Sequence, residues 1–228
     1  MTLQEAIEAR HSVRAYKDQP LSEKVVKVLE DEIVKLNNEG QLHIQLICNE
    51  PKAFQGTLAK YGKFRNVNNY IVMAGRKAED LNERVGYYGE HLVLLAQTLG
   101  LNTCWVGLSY KKIPNTYVLE ENEVIKAYIA LGYGETQGTT HKIKTVEQVS
   151  NACEFTPLWF RKGVEAALLA PTAVNQQKFS FEYVGMSNNR HQVRAKKGFY
   201  MIGYTQMDLG IAKYHFEIGA GKVNFDWL

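Results

Sequence analysis

The strongest constraint on the fold is a periodic apolar segment near the middle of the chain. Apolar side chains recur at every third or fourth position there, at Val85, Tyr88, Leu92, Leu95 and Leu99. This spacing places them on one face of an α-helix. Gly100 follows at the position where helix C-termini favour glycine. The segment therefore predicts a core helix against which the rest of the chain packs.

A similar arrangement returns near the end of the chain. Residues 208–220 predict a second helix, and Gly210–Gly221 repeats the glycine spacing of Gly89–Gly100. Each of these helices follows an alternating segment that predicts a strand, Leu42–Ile47 in the first case and Phe179–Val184 in the second. The order helix, strand, core helix with a glycine stop thus occurs twice, as a weak internal repeat with unequal loops.

The repeat predicts one domain over residues 1–228, built from two packed halves of about 1–150 and 151–228. No linker rich in proline or serine separates the halves. The remaining apolar patterns place predicted helices at 2–9, 23–37, 145–150 and 156–170, and predicted strands at 70–75, 101–108 and 127–131. Helices and strands in this order indicate an α+β fold with a mixed β-sheet between helical layers.

Composition narrows the function classes. A net charge of +3 in 228 residues is mild, so neither a nucleic-acid partner nor a membrane partner is expected. No apolar stretch is long enough to span a bilayer. Three scattered cysteines and six scattered histidines match no metal motif, and the cysteines suit a reducing cytoplasm. We expect a cytoplasmic protein without a metal site.

The densest group of polar side chains lies at the N-terminus. It comprises Arg10, His11, Ser12, Val13 and Arg14. Two guanidinium groups, an imidazole and a hydroxyl within five residues suit a phosphate or carboxylate ligand. Taken alone, the cluster is equally compatible with a solvated basic turn on the surface.

Three further segments have both a structural and a functional interpretation. Cys104–Gly107 is either an ordinary core strand or a ligand-contacting strand end. Lys142 and Lys144 form either a solvated face or part of an anion site. Ala170–Gln177 combines a helix-stopping proline with polar residues, which by itself is ordinary turn chemistry.

Together and in this order, the four segments resemble the nitroreductase family of FMN-dependent oxidoreductases. Arg10–Arg14 is similar to the family's N-terminal cluster, and Gly100–Gly107 is similar to its glycine- and tryptophan-bearing strand end. Leu131–Tyr133, followed by Lys142–Val149, is similar to its cationic tail. Ala170–Gln177 is similar to its proline, asparagine and glutamine turn. The resemblance covers most of the chain.

The resemblance implies roles for particular residues. FMN phosphate and the ribityl chain would contact Arg10, His11, Ser12, Arg14, Lys142 and Lys144. The flavin ring would lie against Trp105, Val106 and Gly107. The late turn would supply Pro171, Thr172, Asn175 and Gln177. Arg65 is a weaker candidate for a contact near N1 and O2 of the flavin.

One departure from the family pattern concerns chain order. In ordinary members the proline turn comes early in the chain and reaches the flavin of the opposite subunit of a homodimer. Here it comes late, and the second half has no second N-terminal cluster and no second cationic tail. The resemblance therefore implies a single-chain pseudo-dimer, a monomer that binds one FMN.

The family resemblance implies an oxidoreductase that uses NAD(P)H to reduce a nitroaromatic, a quinone or another small acceptor. No GxGxxG follows a predicted strand, and no side chain stands out as a general acid or base. Two alternatives remain. One is a flavin-binding or flavin-sensing protein with little turnover, and the other is a protein that binds a different phosphorylated or anionic ligand.

Overall fold

The computed structural model describes residues 1–199 and 203–228. These residues form seven α-helices: α1 (Leu3–Ala9), α2 (Glu23–Gly40), α3 (Thr57–Tyr61), α4 (Leu81–Thr98), α5 (Val146–Val149), α6 (Leu158–Leu168) and α7 (Thr205–Ala220). They also form seven strands: β1 (Gln45–Ile47), β2 (Asn69–Arg76), β3 (Asn102–Val106), β4 (Glu123–Gly132), β5 (Phe179–Ser187), β6 (Arg190–Lys197) and β7 (Phe225–Trp227). The predicted α+β class is confirmed.

Local hydrogen bonds explain where the first helices begin. Thr2 and Glu5 form a reciprocal capping box at α1, and the Ser22 hydroxyl accepts from the Val25 N–H at α2. These bonds satisfy N–H groups that a helix start leaves without partners. At α6 the sequence predicts a Thr156 cap with proline as the first helical residue, but Pro157 itself is the N-cap. The Thr156 hydroxyl instead donates to the Cys153 carbonyl.

The first sheet has the strand order β1-β2-β4-β3, and all of its neighbours are antiparallel. The sequence predicts 70–75 as a central strand, and Asn69–Gly75 is buried throughout. Both faces of β2 are covered, so its sequence is a continuous apolar run instead of an alternating one.

The second sheet has the order β5-β6-β7, with β6 and β7 parallel. Neither β6 nor β7 is predicted from the sequence. Of the eight residues of β6, only Val193 is buried, so an alternating apolar pattern is missing. β7 has three residues, too few for any periodicity. The strands therefore divide between two sheets, and mixed pairing occurs in the second.

Helices α4 and α7 cross at two glycines. A Cβ on Gly86 would lie 2.0 Å from the Met207 carbonyl oxygen, and a Cβ on Gly210 would lie 2.0 Å from the Glu83 carbonyl oxygen. Each glycine thus faces the residue three positions before the other, so the contact is reciprocal. The close approach requires hydrogen as the side chain at both positions. The geometric partner of Gly210 is Gly86, one helical turn before the Gly89 that the sequence spacing suggested.

Two sets of elements occur in the same order along the chain. α2, β1, β2, α4 and β3 occur in the first part, and α6, β5, β6, α7 and β7 follow in the same order. In the first sheet β4 lies between β2 and β3, whereas β7 pairs directly with β6. A single apolar cluster contains side chains from both sets, including Met73, Leu92, Phe160 and Phe216. None of the described helices is long and apolar enough to cross a membrane.

Candidate functional site

A cavity of about 250 Å³ lies where β3 ends, beside the N-terminal cluster, the turn after α6 and the start of α7. The residues that line it lie far apart in the sequence, between 12 and 127 and between 171 and 211. They are Ser12, Arg14, Cys104, Trp105, Val106, Gly107, Leu108, Ala127, Pro171, Thr172, Ala173, Val174, Tyr204, Met207, Asp208 and Ile211. Three of the four segments that the sequence singles out thus meet at one cavity.

The N-terminal cluster is tied to β3 by its backbone. The Val13 N–H donates to the Thr103 carbonyl at 3.0 Å, and the Tyr16 hydroxyl donates to the Val13 carbonyl at 2.6 Å. Val13 is buried, so its neighbours Ser12 and Arg14 point outward and line the cavity. Arg14 also lies over the Phe64 ring, 5.9 Å from its centroid. A hydroxyl donor and a cation therefore stand together at the wall.

The end of β3 is held from behind by a buried carboxylate. The Trp105 indole N–H donates to Glu90 Oε2 at 2.8 Å, and Glu90 Oε1 lies 2.8 Å from His215 Nε2. Glu90 and His215 are both fully buried. His215 belongs to α7, so this network joins the two halves and fixes the indole that lines the cavity.

The turn after α6 has a strained backbone. Val174, Asn175 and Gln177 have φ values of +47°, +55° and +46°. Asparagine tolerates the left-handed region, but glutamine adopts it rarely, and for a β-branched valine it is a true outlier. Val174 nevertheless lines the cavity with its side chain largely exposed. A strained turn persists only where surrounding bonds hold it.

Part of that support comes from the cationic tail. The Asn175 amide donates to the Lys142 carbonyl at 2.8 Å, and the buried Gln177 amide donates to the same oxygen at 2.8 Å. Lys144 Nζ donates to the Gln177 carbonyl at 2.6 Å. Burial, then repulsion from Lys178, lowers the pKa of Lys144. The fourth segment is thus next to the turn, although Lys142, Lys144, Asn175 and Gln177 stand behind the cavity wall and not on it.

The other predicted site residues lie in different places. Arg10 is 4% exposed, and its guanidinium donates to the Leu169 carbonyl at 3.1 Å. Burial lowers its pKa, and the nearby Glu90 charge opposes that shift. Arg65 is exposed and pairs with Glu135. Neither arginine lines the cavity. Arg10 instead connects the end of α1 to the end of α6.

His11 is half-buried beside the loop that leads to the cationic tail. A Cβ on Gly138 would lie 2.7 Å from the His11 Cβ, so this loop covers the N-terminal cluster closely. Burial, then the Arg10 charge, lowers the pKa of His11.

The sequence interpretation missed the contribution of α7. Tyr204 caps this helix with a φ of +68° and lies against Gly107, whose Cβ would be 2.5 Å from the Tyr204 hydroxyl oxygen. Asp208 is buried, and the desolvation raises the pKa of its carboxyl group to about 6. In the sequence, Asp208 has the features of an ordinary acidic residue in the first turn of a helix, where negative charge is stabilising. No local signal distinguishes it from that ordinary role.

The family model described as "Putative TM nitroreductase" matches residues 2–220. The chain belongs to that family. Among curated proteins, none matches the sequence.

Solved structures share the fold at low sequence identity. A "putative nitroreductase" from Thermotoga maritima is 24% identical with a TM-score of 0.66, covering 98% of this chain and 85% of the other. A "putative nitroreductase in complex with fmn" from Desulfovibrio desulfuricans is 16% identical with a TM-score of 0.53, covering 68% and 99%. A "Putative NADH Oxidase" from Clostridium acetobutylicum is 16% identical with a TM-score of 0.50, covering 63% and 96%.

Proposed function

We propose that this chain is an FMN-dependent oxidoreductase that uses NAD(P)H to reduce a small acceptor such as a nitroaromatic or a quinone. The observation that carries the proposal is the cavity at which the N-terminal cluster, the strand end and the late turn meet. The sequence places these segments far apart, and the fold brings them together. The Desulfovibrio structure with this fold was solved with FMN, which supports the choice of cofactor.

The residues at the cavity fit an FMN molecule chemically. The donors Ser12, Arg14 and Thr172 suit its polar and anionic parts. An apolar wall suits a flat aromatic ring, and it contains Val106, Ala127, Pro171, Val174, Met207 and Ile211. Backbone N–H groups at the end of β3 suit the heteroatoms along one edge of the ring.

We assign the contacts according to where each residue lies. Ser12 and Arg14 would hold the phosphate directly, with His11 beside them. Lys142 and Lys144 would support the turn from behind the wall. Trp105, Val106 and Gly107 would lie along the ring, with Pro171 and Thr172 opposite. Asn175 and Gln177 would fix the turn, and Arg10 would support the cluster from behind. Arg65, paired with Glu135, is left outside this set.

When bound, FMN supplies the two-electron chemistry that connects a reduced nicotinamide with a small acceptor. The chain's residues orient the ring, shield it from water and leave an open side for both substrates in turn. Met207, Ile211 and Val174 exclude water from that side because their side chains are apolar.

We further propose that the chain is a single-chain pseudo-dimer. The reciprocal contact of Gly86 and Gly210 has the geometry of a two-fold crossing between equivalent helices. The Desulfovibrio protein aligns over 99% of its own length but over only 68% of this chain. The chain would then be a monomer with one FMN.

We also propose that the protein is cytoplasmic. Its three cysteines are free thiols, which is consistent with a reducing cytoplasm.

A second candidate is a flavin-binding protein with little turnover. The observation in its favour is Tyr204, whose ring covers Gly107 at the strand end. A side chain in that place would compete with a nicotinamide for the open side of the ring.

The test is an absorption spectrum of the purified protein with and without reduced nicotinamide. Yellow protein that releases FMN on denaturation supports the proposed cofactor, and colourless protein that takes up no added FMN contradicts it. Anaerobic bleaching by NADH or NADPH, followed by re-oxidation with a nitroaromatic or quinone, supports the enzyme. Flavin that stays oxidised supports the binding protein.

A further inference from the structure

Asp208 occupies a place in the cavity wall that neither the family resemblance nor the proposed chemistry uses. It lies in the first turn of α7, is 3% exposed and lines the cavity. A carboxylate removed from water needs hydrogen-bond donors to compensate for the lost hydration. The identity of its donors indicates what it does.

Both donors belong to the strained turn. The Ala173 N–H donates to Asp208 Oδ1 at 3.0 Å, and the Gln176 side-chain amide donates to Asp208 Oδ2 at 2.7 Å. Between them lies Val174, whose φ of +47° places its side chain on the cavity. The carboxylate thus accepts hydrogen bonds from the residues of the turn on both sides of Val174.

We propose that Asp208 is a positioning residue that holds residues 172–177 in their strained conformation as one wall of the cavity. On the far side of the turn, the Asn175 amide donates to the Lys142 carbonyl and Lys144 Nζ donates to the Gln177 carbonyl, and Asp208 holds the near side. The helix that carries Asp208, α7, is itself packed on α4. The shape of the cavity therefore depends on the hydrogen bonds of Asp208 to the turn.

The donor pattern gives a sharp mutational test. Both partners of Asp208 are donors, so an amide in its place can accept from only one of them, and D208N must lose one bond. Q176E removes the amide that donates to Asp208 Oδ2 and places a second carboxylate against Asp208. The double variant D208N/Q176E exchanges donor and acceptor, since an amide at 208 can accept from Ala173 and donate to a carboxylate at 176.

The primary readout is hydrogen exchange of the peptide containing residues 172–177, measured by mass spectrometry on the full chain without added FMN. We expect about tenfold faster exchange in each single variant, the equivalent of one charge-assisted hydrogen bond. The double variant should recover most of the protection, although the weaker bond from Gln176 to the Gly203 carbonyl is lost. D226N, at an exposed carboxylate paired with Arg190 in the second sheet, is the matched control and should exchange like the wild type.

A second readout is the affinity for added FMN, which rests on the proposed function. Affinity should fall in both single variants and return in the double variant. Single variants with wild-type exchange, or a double variant no better protected than the singles, would overturn the positioning role. If the wild type binds no FMN, the proposed function fails, while the exchange comparison still decides the role of Asp208.

Discussion

Arg14 and Arg10 show how two residues of one cluster separate once the chain is folded. Both are arginines near the same strand, yet Arg14 is exposed on the cavity and Arg10 is buried against a helix end. Arg10 is the C-cap of α1 and donates to the Leu169 carbonyl at the end of α6, whereas Arg14 follows the buried Val13, whose N–H donates to Thr103 of β3. Removal of Arg14 should therefore affect ligand binding, and removal of Arg10 should affect the stability of the fold.

We expect R14A to weaken FMN binding by about ten- to a hundredfold, the cost of one charge-assisted contact to a phosphate. Fluorescence titration of FMN measures the effect. R65A is the matched control, since the Arg65 side chain is exposed, pairs with Glu135 and does not line the cavity. Equal losses in the two variants would contradict the assignment of Arg14.

Removal of Arg10 should instead affect stability. R10A leaves the Leu169 carbonyl without its donor and removes the positive charge near the buried Glu90. We expect the free energy of unfolding to fall by about 2–4 kcal/mol, measured by urea denaturation. R65A should change it by less than about 1 kcal/mol. An R10A variant as stable as the wild type would show that the buried guanidinium has no supporting role.

Asp208 is expected to lower the free energy of unfolding as the pH rises from about 4 to about 7. Its pKa is raised from 3.8 to about 6 in the folded chain, mainly by burial, so the folded state binds this proton more tightly than the unfolded state. Its contribution to the free energy of unfolding is therefore fully present below about pH 4 and is lost as the pH rises through about 6.

Urea denaturation of wild type and D208N between about pH 4 and pH 7 tests this sign. The stability of D208N relative to wild type should rise over that interval by about 2–3 kcal/mol. D226N should show a flat difference between about pH 5 and pH 7, because the Arg190 ion pair lowers the pKa of Asp226. If the stability difference between D208N and wild type did not change with pH, the raised pKa of Asp208 would be contradicted.

At the scale of elements, the crossing of α4 and α7 depends on two absent side chains. A methyl group at Gly210 would lie 2.0 Å from a backbone oxygen of α4, so one helix would have to move. We expect G210A to lower the free energy of unfolding by at least about 2–3 kcal/mol. G56A is the control, since a Cβ at Gly56 meets no atom within 4 Å. A fully stable G210A would mean that the helices separate without cost.

The elements also show which parts of the fold can be predicted from sequence. α1, α2 and α4 combine periodic apolar residues with caps or glycine stops, and the predicted helices are present, with ends within a few residues of those predicted. β6 and β7 carry no such pattern, because their pairing depends on α7 and on each other and not on a face of their own. Apolar periodicity predicts elements that bury one face. It does not predict strands such as β6 and β7, whose positions depend on pairing with neighbouring elements.

At the scale of the whole molecule, one cavity is built from segments far apart in the chain. Residues 151–228 supply the late turn and α7, but their sequence contains no second N-terminal cluster. We therefore expect sedimentation to show a monomer and titration to show one FMN per chain. A dimer of chains, or two FMN per chain, would contradict the single-chain pseudo-dimer.

The α+β class, the core helices and the three segments that meet at the cavity can be predicted from the sequence, because these depend on local periodicity and local chemistry. The folded structure is needed to show that Arg10 is buried, that the Arg65 side chain does not line the cavity, and that Tyr204 and Asp208 complete the wall. Those outcomes depend on contacts between residues far apart in the chain, such as Asp208 with Ala173. Burial and the direction of a side chain are properties of packing, and no single segment contains them.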